Sequence, residues 1–151
     1  MSTFFALLLI AHVVFGIVGA IACYVVLLSL LKKTVAVKTI KWVSALAFGS
    51  YFLSWLSGGY YYVFYYGDMV KPTIKEGAYP WAHLIFMEAK EHIFLMLPFA
   101  TFALWAVIWI KGKQLDTDPK FKASLILLCA IITILATIIT LSGIIISGAG
   151  R

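Results

Sequence analysis

Charge is scarce in this chain. Asp, Glu, Lys and Arg together make up 12% of its 151 residues, about half the share of an ordinary soluble domain. So poor a supply of charge excludes a water-solvated globular surface. Cysteine is also scarce: Cys23 and Cys129 are the only two. Both lie inside long apolar runs and should face the membrane interior, which excludes a disulfide framework. No segment is polar enough to be a disordered tail. Gly-rich phosphate loops and Ser–His–Asp arrangements are missing. So are an arginine ladder for voltage sensing, a selectivity-filter motif and the inverted repeats of many transporters. Met1-Ser2-Thr3 lacks the basic n-region of a signal peptide, so the first apolar run is expected to be a span.

Long apolar runs are what the chain has in excess. It is 64% hydrophobic with a mean hydropathy of +1.04. Four runs, about 3–31, 42–66, 82–110 and 123–149, account for this. Each exceeds the ~20 residues needed to cross ~30 Å of hydrocarbon as a helix. In lipid, only helices or closed barrels satisfy the backbone, and these runs are too long and too evenly apolar for barrel strands. The fold class expected is therefore an all-α membrane protein: one transmembrane domain over 1–151, a four-helix bundle running up-down-up-down. The lipid bilayer is the first partner this implies.

The net charge of +6 is no footprint of nucleic acid, because the lysines are confined mainly to connectors. Lys32, Lys33, Lys38 and Lys41 bracket the first; Lys111, Lys113, Lys120 and Lys122 bracket the third. Lys and Arg mark cytoplasmic loops. Both termini and the middle connector, 67–81, are then expected outside, in a plasma or inner membrane.

The segment Glu88-Ala89-Lys90-Glu91-His92 holds four ionisable residues in five positions inside the third run. Ionisable groups are expensive in a bilayer, so their default reading is functional. The lysines serve as a ruler. His12 lies 20 residues before Lys32, and His92 lies 19 before Lys111. At ~1.5 Å per residue both imidazoles stand about 30 Å above the basic end. Tyr61 and Ser142 each lie 20 residues beyond a lysine, Lys41 and Lys122. His12, Tyr61, Glu91, His92 and Ser142 are thus expected in one layer near the outer edge of the hydrocarbon.

Helical spacing sorts the third run further. Glu88, Glu91 and His92 share one arc, expected to face inward. His83, Met87 and Lys90 form an adjacent stripe, with His83 read as an exposed interfacial histidine. Ile85, Ala89, Ile93 and Met96 are expected to face lipid. In the first run, Gly16, Gly19, Ala20 and Cys23 make a small-residue face for close helix approach or for a homo-oligomer, and His12 shares it. In the last run, Thr133, Thr137, Thr140 and Ser147 are expected to face inward.

The leading expectation is a small redox membrane protein with b-type haem for electron transfer. The haem would be held between His12 and His92, with Glu88 and Glu91 tuning its potential or carrying coupled protons. The loop 67–81, with Pro72 and Pro80, would cover the site, and Gly16 and Gly19 would admit the flat macrocycle. The alternative is a single transition-metal ion, iron, zinc or copper, on His12, Glu88, Glu91 and His92. His83, Met87 and Tyr61 are secondary candidates, and Met69 with His83 and Met87 would suit copper. A third reading has no cofactor: Glu88, Lys90, Glu91 and His92 form an ionic network in an accessory or assembly subunit of a larger membrane complex. The layout resembles small four-helix membrane cytochromes, with histidines on the first and third helices. That resemblance rests on His12 and His92 and implies haem between them.

Overall fold

The computed structural model describes residues 1–149. Every regular element among them is helical. α1 spans Thr3–Leu30 and α2 spans Val37–Tyr61. α2 continues without a break into a π-helical segment, Tyr62–Val70, and a short helix α3, Lys71–Glu76. A second π-helical segment, Ala82–Met87, leads into α4, Glu88–Lys111. A single 3-10 turn, Gly112–Gln114, precedes α5, Pro119–Ala149. α1 packs on α2, α2 on α4, α4 on α5, and α5 closes the ring on α1. Gly19 meets Tyr51 while Gly58 meets His12, Gly112 at the end of α4 meets Val37 at the start of α2, and Gly143 of α5 meets Lys90 of α4, so consecutive long helices are antiparallel and the ring runs up-down-up-down.

Three stretches, Thr3–Leu30, Ala82–Gln114 and Pro119–Ala149, are long and apolar enough to cross a membrane. α2 is somewhat shorter, at 25 residues, and less apolar. Lys38, Lys41, four serines and three glycines dilute it.

The helix ends differ from those expected by counting apolar residues. α5 starts at Pro119, not near residue 123. Asp118 accepts a hydrogen bond from the Phe121 amide at 3.0 Å, and proline suits the first helical position because its missing N–H would be unpaired there anyway. α2 starts at Val37, before Trp42, because a helix need not end where its apolar stretch does. The connector 67–81 is mostly helical rather than a loop. Pro72 sits in the first turn of α3, where it breaks no hydrogen bond. The chain leaves α3 at Gly77, where a β-carbon would stand 2.8 Å from the Thr73 carbonyl oxygen.

The core lies mainly toward the basic end. Leu30, Ile40, Leu104 and Ile108 are fully buried there. Small residues bring α1 and α2 together. Gly19 sits under the Tyr51 ring, which would stand 3.0 Å from a β-carbon at that position, and Gly16 faces Ser54. Gly19 on the small face of α1 is therefore covered by the Tyr51 ring of α2 and does not admit a macrocycle. Cys23 and Cys129 are buried free thiols, and Cys129 Sγ donates to the Cys23 carbonyl at 3.5 Å. A second, smaller cluster of Tyr66, Ile74, Ala82, Met87 and Ile146 closes the opposite end.

The inward face of α5 is Cys129, Ile132, Ala136, Ile139, Ser142 and Ile146. Of the expected inward stripe, Thr133 is buried, Thr140 and Ser147 face open space between the helices, and Thr137 alone turns away. Thr133, Thr137 and Thr140 each donate to the carbonyl four residues earlier, at 2.8–2.9 Å.

Candidate functional site

Between the main core and the smaller end cluster, the four long helices part around a cavity of about 660 Å³. A volume of a few hundred cubic ångströms is that of a small-molecule site. Its wall draws His12 from α1, Gly58 and Tyr61 from α2, Lys90 and Glu91 from α4, and Gly143 from α5. Tyr62 and Tyr66 of the first π-helical segment also line it. A second cavity of about 530 Å³ adjoins it and shares His12, Lys90, Phe94 and Gly143.

The orientation of His12 is fixed by α2. Its Nδ1–H donates to the Ser54 carbonyl at 2.9 Å and shares that hydrogen with Ser54 Oγ at 3.1 Å. Ser54 Oγ in turn donates to the His12 carbonyl at 2.8 Å. Only an Nδ1–H tautomer satisfies all three contacts, and this assignment comes from the hydrogen-bond network. Nε2 is then the nitrogen that carries the lone pair. The ring lies edge-on to Phe94, with centroids 5.4 Å apart. Gly58 makes room for it, since a β-carbon there would collide with Nδ1. The sequence reading picked out His12 but missed Ser54 and Gly58 as its holders. The recurrence of Ser50, Ser54, Ser57 and Gly58 was the available signal.

α4 does not present the expected arc. Its inward stripe is Lys90, Phe94, Leu97, Thr101, Leu104 and Ile108, at alternating spacings of four and three. Glu88 and His92 face the other way and are exposed. His92 Nδ1–H donates to its own helix, to the Glu88 carbonyl at 2.7 Å. Glu91 lies on the flank and reaches the cavity wall. One of its oxygens, Oε1, is buried without a hydrogen-bond partner. The physical reason is the heptad-like run of bulky residues from Phe94 to Ile108, which fixes which face of α4 is buried and turns Glu88 and His92 out.

The structure therefore brings together His12, Tyr61 and Glu91 of the expected layer, and separates His92 from them. Ser142 is buried, with its hydroxyl donated to the Ile138 carbonyl at 2.9 Å. The expected ligand pairs are not assembled: His12 and His92 do not face one space. Of His12, Glu88, Glu91 and His92, only His12 and Glu91 line the cavity. Among the described residues, no three His, Cys, Asp or Glu side chains gather as a metal-binding group.

His83 is the largest correction. Expected at the exposed interface, it is 1% accessible. Its Nδ1 lies 3.0 Å from the hydroxyl of Tyr66, which is also buried, and its Nε2 is buried with no partner. Met87 joins it on the inner side, packed in the end cluster. Both stand on the second π-helical segment, Ala82–Met87, and Tyr66 stands on the first. A π-helical stretch shifts side chains away from the 100° spacing of an α-helix, and such stretches recur at functional sites.

Lys90 is the cation of the cavity wall, and it stands within electrostatic reach of His12 and Glu91. A β-carbon at Gly143 would lie 3.5 Å from its Nζ. Aromatic walls, one imidazole lone pair, one ammonium and one carboxylate suit a flat, largely apolar molecule with an acidic group. Comparison with protein-family models, curated proteins and solved structures finds no match to this chain.

Proposed function

We propose that the chain is a four-span integral membrane protein whose end cavity binds a flat, largely apolar ligand bearing an acidic group. The observation that carries this reading is the cavity of about 660 Å³ walled by His12, Lys90, Glu91 and aromatic rings. α2, 25 residues long and closing the ring between α1 and α4, is read as the fourth span. The lysine-rich connectors are read as cytoplasmic, which puts the cavity toward the outer leaflet.

Haem b is the candidate ligand that the sequence pointed to, and the residues of the cavity suit it. His12 Nε2 would hold the iron and Lys90 would meet a propionate, while His92, on the outer face of α4, would take no part. Bound haem supplies one-electron transfer, with a potential set by its surroundings. The chain's own contribution is to orient His12 through Ser54 and to keep water from the ligand with Phe94 and the tyrosines.

Absorbance spectroscopy of the detergent-purified protein, made in a haem-replete host and then titrated with haemin, tests this. A Soret band that disappears in His12→Ala and persists in His92→Ala is the expected result. A band that survives His12→Ala would place haem elsewhere. No band before or after haemin addition would remove haem and leave the cavity to another acidic ligand.

A further inference from the structure

At the cavity end, Nε2 of His83 and Oε1 of Glu91 are both buried and lack a hydrogen-bond partner. An orphaned buried polar group is destabilising unless something satisfies it. Two such groups in one small region are informative because they belong to one connected set. Tyr66 lines the cavity, and its hydroxyl bonds to His83 Nδ1 at 3.0 Å. The Tyr66 ring stacks on that of Tyr62, with centroids 5.3 Å apart, and Tyr62 also lines the cavity. Glu91 stands within electrostatic reach of Tyr62, Tyr66 and His83. Beyond His83, and within its electrostatic reach, are Lys71 and Lys75 of α3, the latter exposed to solvent.

We propose that His83, Tyr66 and Glu91 form a proton relay that joins the cavity to the aqueous phase at the α3 end. Imidazole suits the middle of such a relay because it takes a proton at one nitrogen and releases one from the other. In the inward direction, His83 gains a proton at Nε2 from water and gives the Nδ1 proton to the Tyr66 oxygen. Tyr66 releases its hydroxyl proton, through water in the cavity, to Glu91. Only N–H and O–H bonds form and break, and no electron moves. The vacant valences at His83 Nε2 and Glu91 Oε1 are the places where water enters the chain, since buried water sits where polar groups lack protein partners. His83 bonds to Tyr66 of the first π-helical segment, on which Tyr62 stacks, and it lies within electrostatic reach of Lys71 and Lys75 from α3, of Glu91, and of Glu88 on the exposed side of α4. From α5 the end cluster receives Ile146, which does not titrate. Toward the basic end the fully buried Leu97, Leu104 and Ile108 close the path, so the relay serves one membrane face. It does not depend on which ligand the cavity takes.

Time-resolved infrared spectroscopy of the ligand-free protein after a photolytic proton jump tests this. The protonated-carboxyl band assigned to Glu91 is the one lost in Glu91→Gln. Its rise is expected to slow by about 10-fold or more in Tyr66→Phe and in His83→Ala, as for loss of a positioned proton carrier. Free imidazole is expected to restore the rate in His83→Ala, which a merely structural defect would not allow. Tyr66→Phe keeps the ring and its stacking, so it separates transfer from folding. Unchanged rates in both variants, or a Glu91 carboxyl that does not respond to the jump, would overturn the relay. Haemin titration of the same variants keeps the ligand question separate.

Discussion

The two ends of the bundle are built differently. At the basic end the packing is closed. Leu30, Ile40, Leu104, Ile108 and Leu115 expose at most 1% of their surface. The connectors there are tied down by specific bonds. Asp116 Oδ1 accepts from the Val35 amide at 3.1 Å, and Lys122 Nζ donates to the Lys32 carbonyl at 2.6 Å. Trp42 and Trp109 meet edge to face with centroids 5.6 Å apart, and Lys41 lies over Trp109, an arrangement suited to the membrane–water boundary. The opposite end has two cavities and two π-helical segments, and His83, Glu91 and Tyr51 there each carry an orphaned polar atom. The comparison teaches that one end holds the four helices in register while the other is left open around polar groups. Interactions in a membrane must come from packing and hydrogen bonds, because lipid is as apolar as a leucine side chain. A bundle closed at one end can therefore tolerate a cavity at the other.

The sharpest way to break this contrast is to open the closed end. Ile108→Ala should cost about 2–4 kcal/mol, the range for truncating a fully buried side chain. Ile110, which is 78% exposed, should tolerate the same change with little loss. Unfolding in a denaturing detergent titration measures both. Equal effects would mean that the basic end is not the packed anchor.

A smaller but more telling effect is expected at the open end. Gly58→Ala should push the His12 ring off its Ser54 contacts and weaken haemin binding about 10-fold, or ~1.4 kcal/mol. Gly59→Ala meets nothing within 4 Å and should bind as the parent does. Matching losses in the two variants would show that the orientation of His12 does not matter. The smallest effect concerns the connectors. Asp116→Ala removes the acceptor for the Val35 amide and should cost about 1 kcal/mol, read as a lowered unfolding midpoint with haemin binding unchanged.

Much of the site could be read in the sequence because depth in a membrane is counted in residues. The lysine ruler put His12, Tyr61 and Glu91 at one height, and all three line the same cavity. Rotation about each helix was not legible in the same way. Ionisable residues were taken to point inward because lipid penalises them, yet Glu88 and His92 face outward near the helix end. There a protruding side chain can reach the polar boundary. On α4, the burial of Leu97, Thr101, Leu104 and Ile108 decided the angle instead. His83 was misread for a related reason. Spacing grouped it correctly with Met87 and Lys90, but that stripe and not the Glu88 arc turns inward, and its partner Tyr66 is 17 residues away on another π-helical segment.

By itself the sequence determined the all-helical architecture, the three stretches apolar enough to cross a membrane, and the grouping of His12, Tyr61 and Glu91 at one end of the helices. These follow from hydropathy and from a fixed rise per residue, which are local properties. Only the tertiary structure decided which imidazole faces the cavity, that Gly58 and Ser54 hold it there, and that Tyr66 and His83 share a buried hydrogen bond. Each of those depends on how one helix is rotated against another. That rotation is set by side chains interlocking across helices, which no single segment encodes.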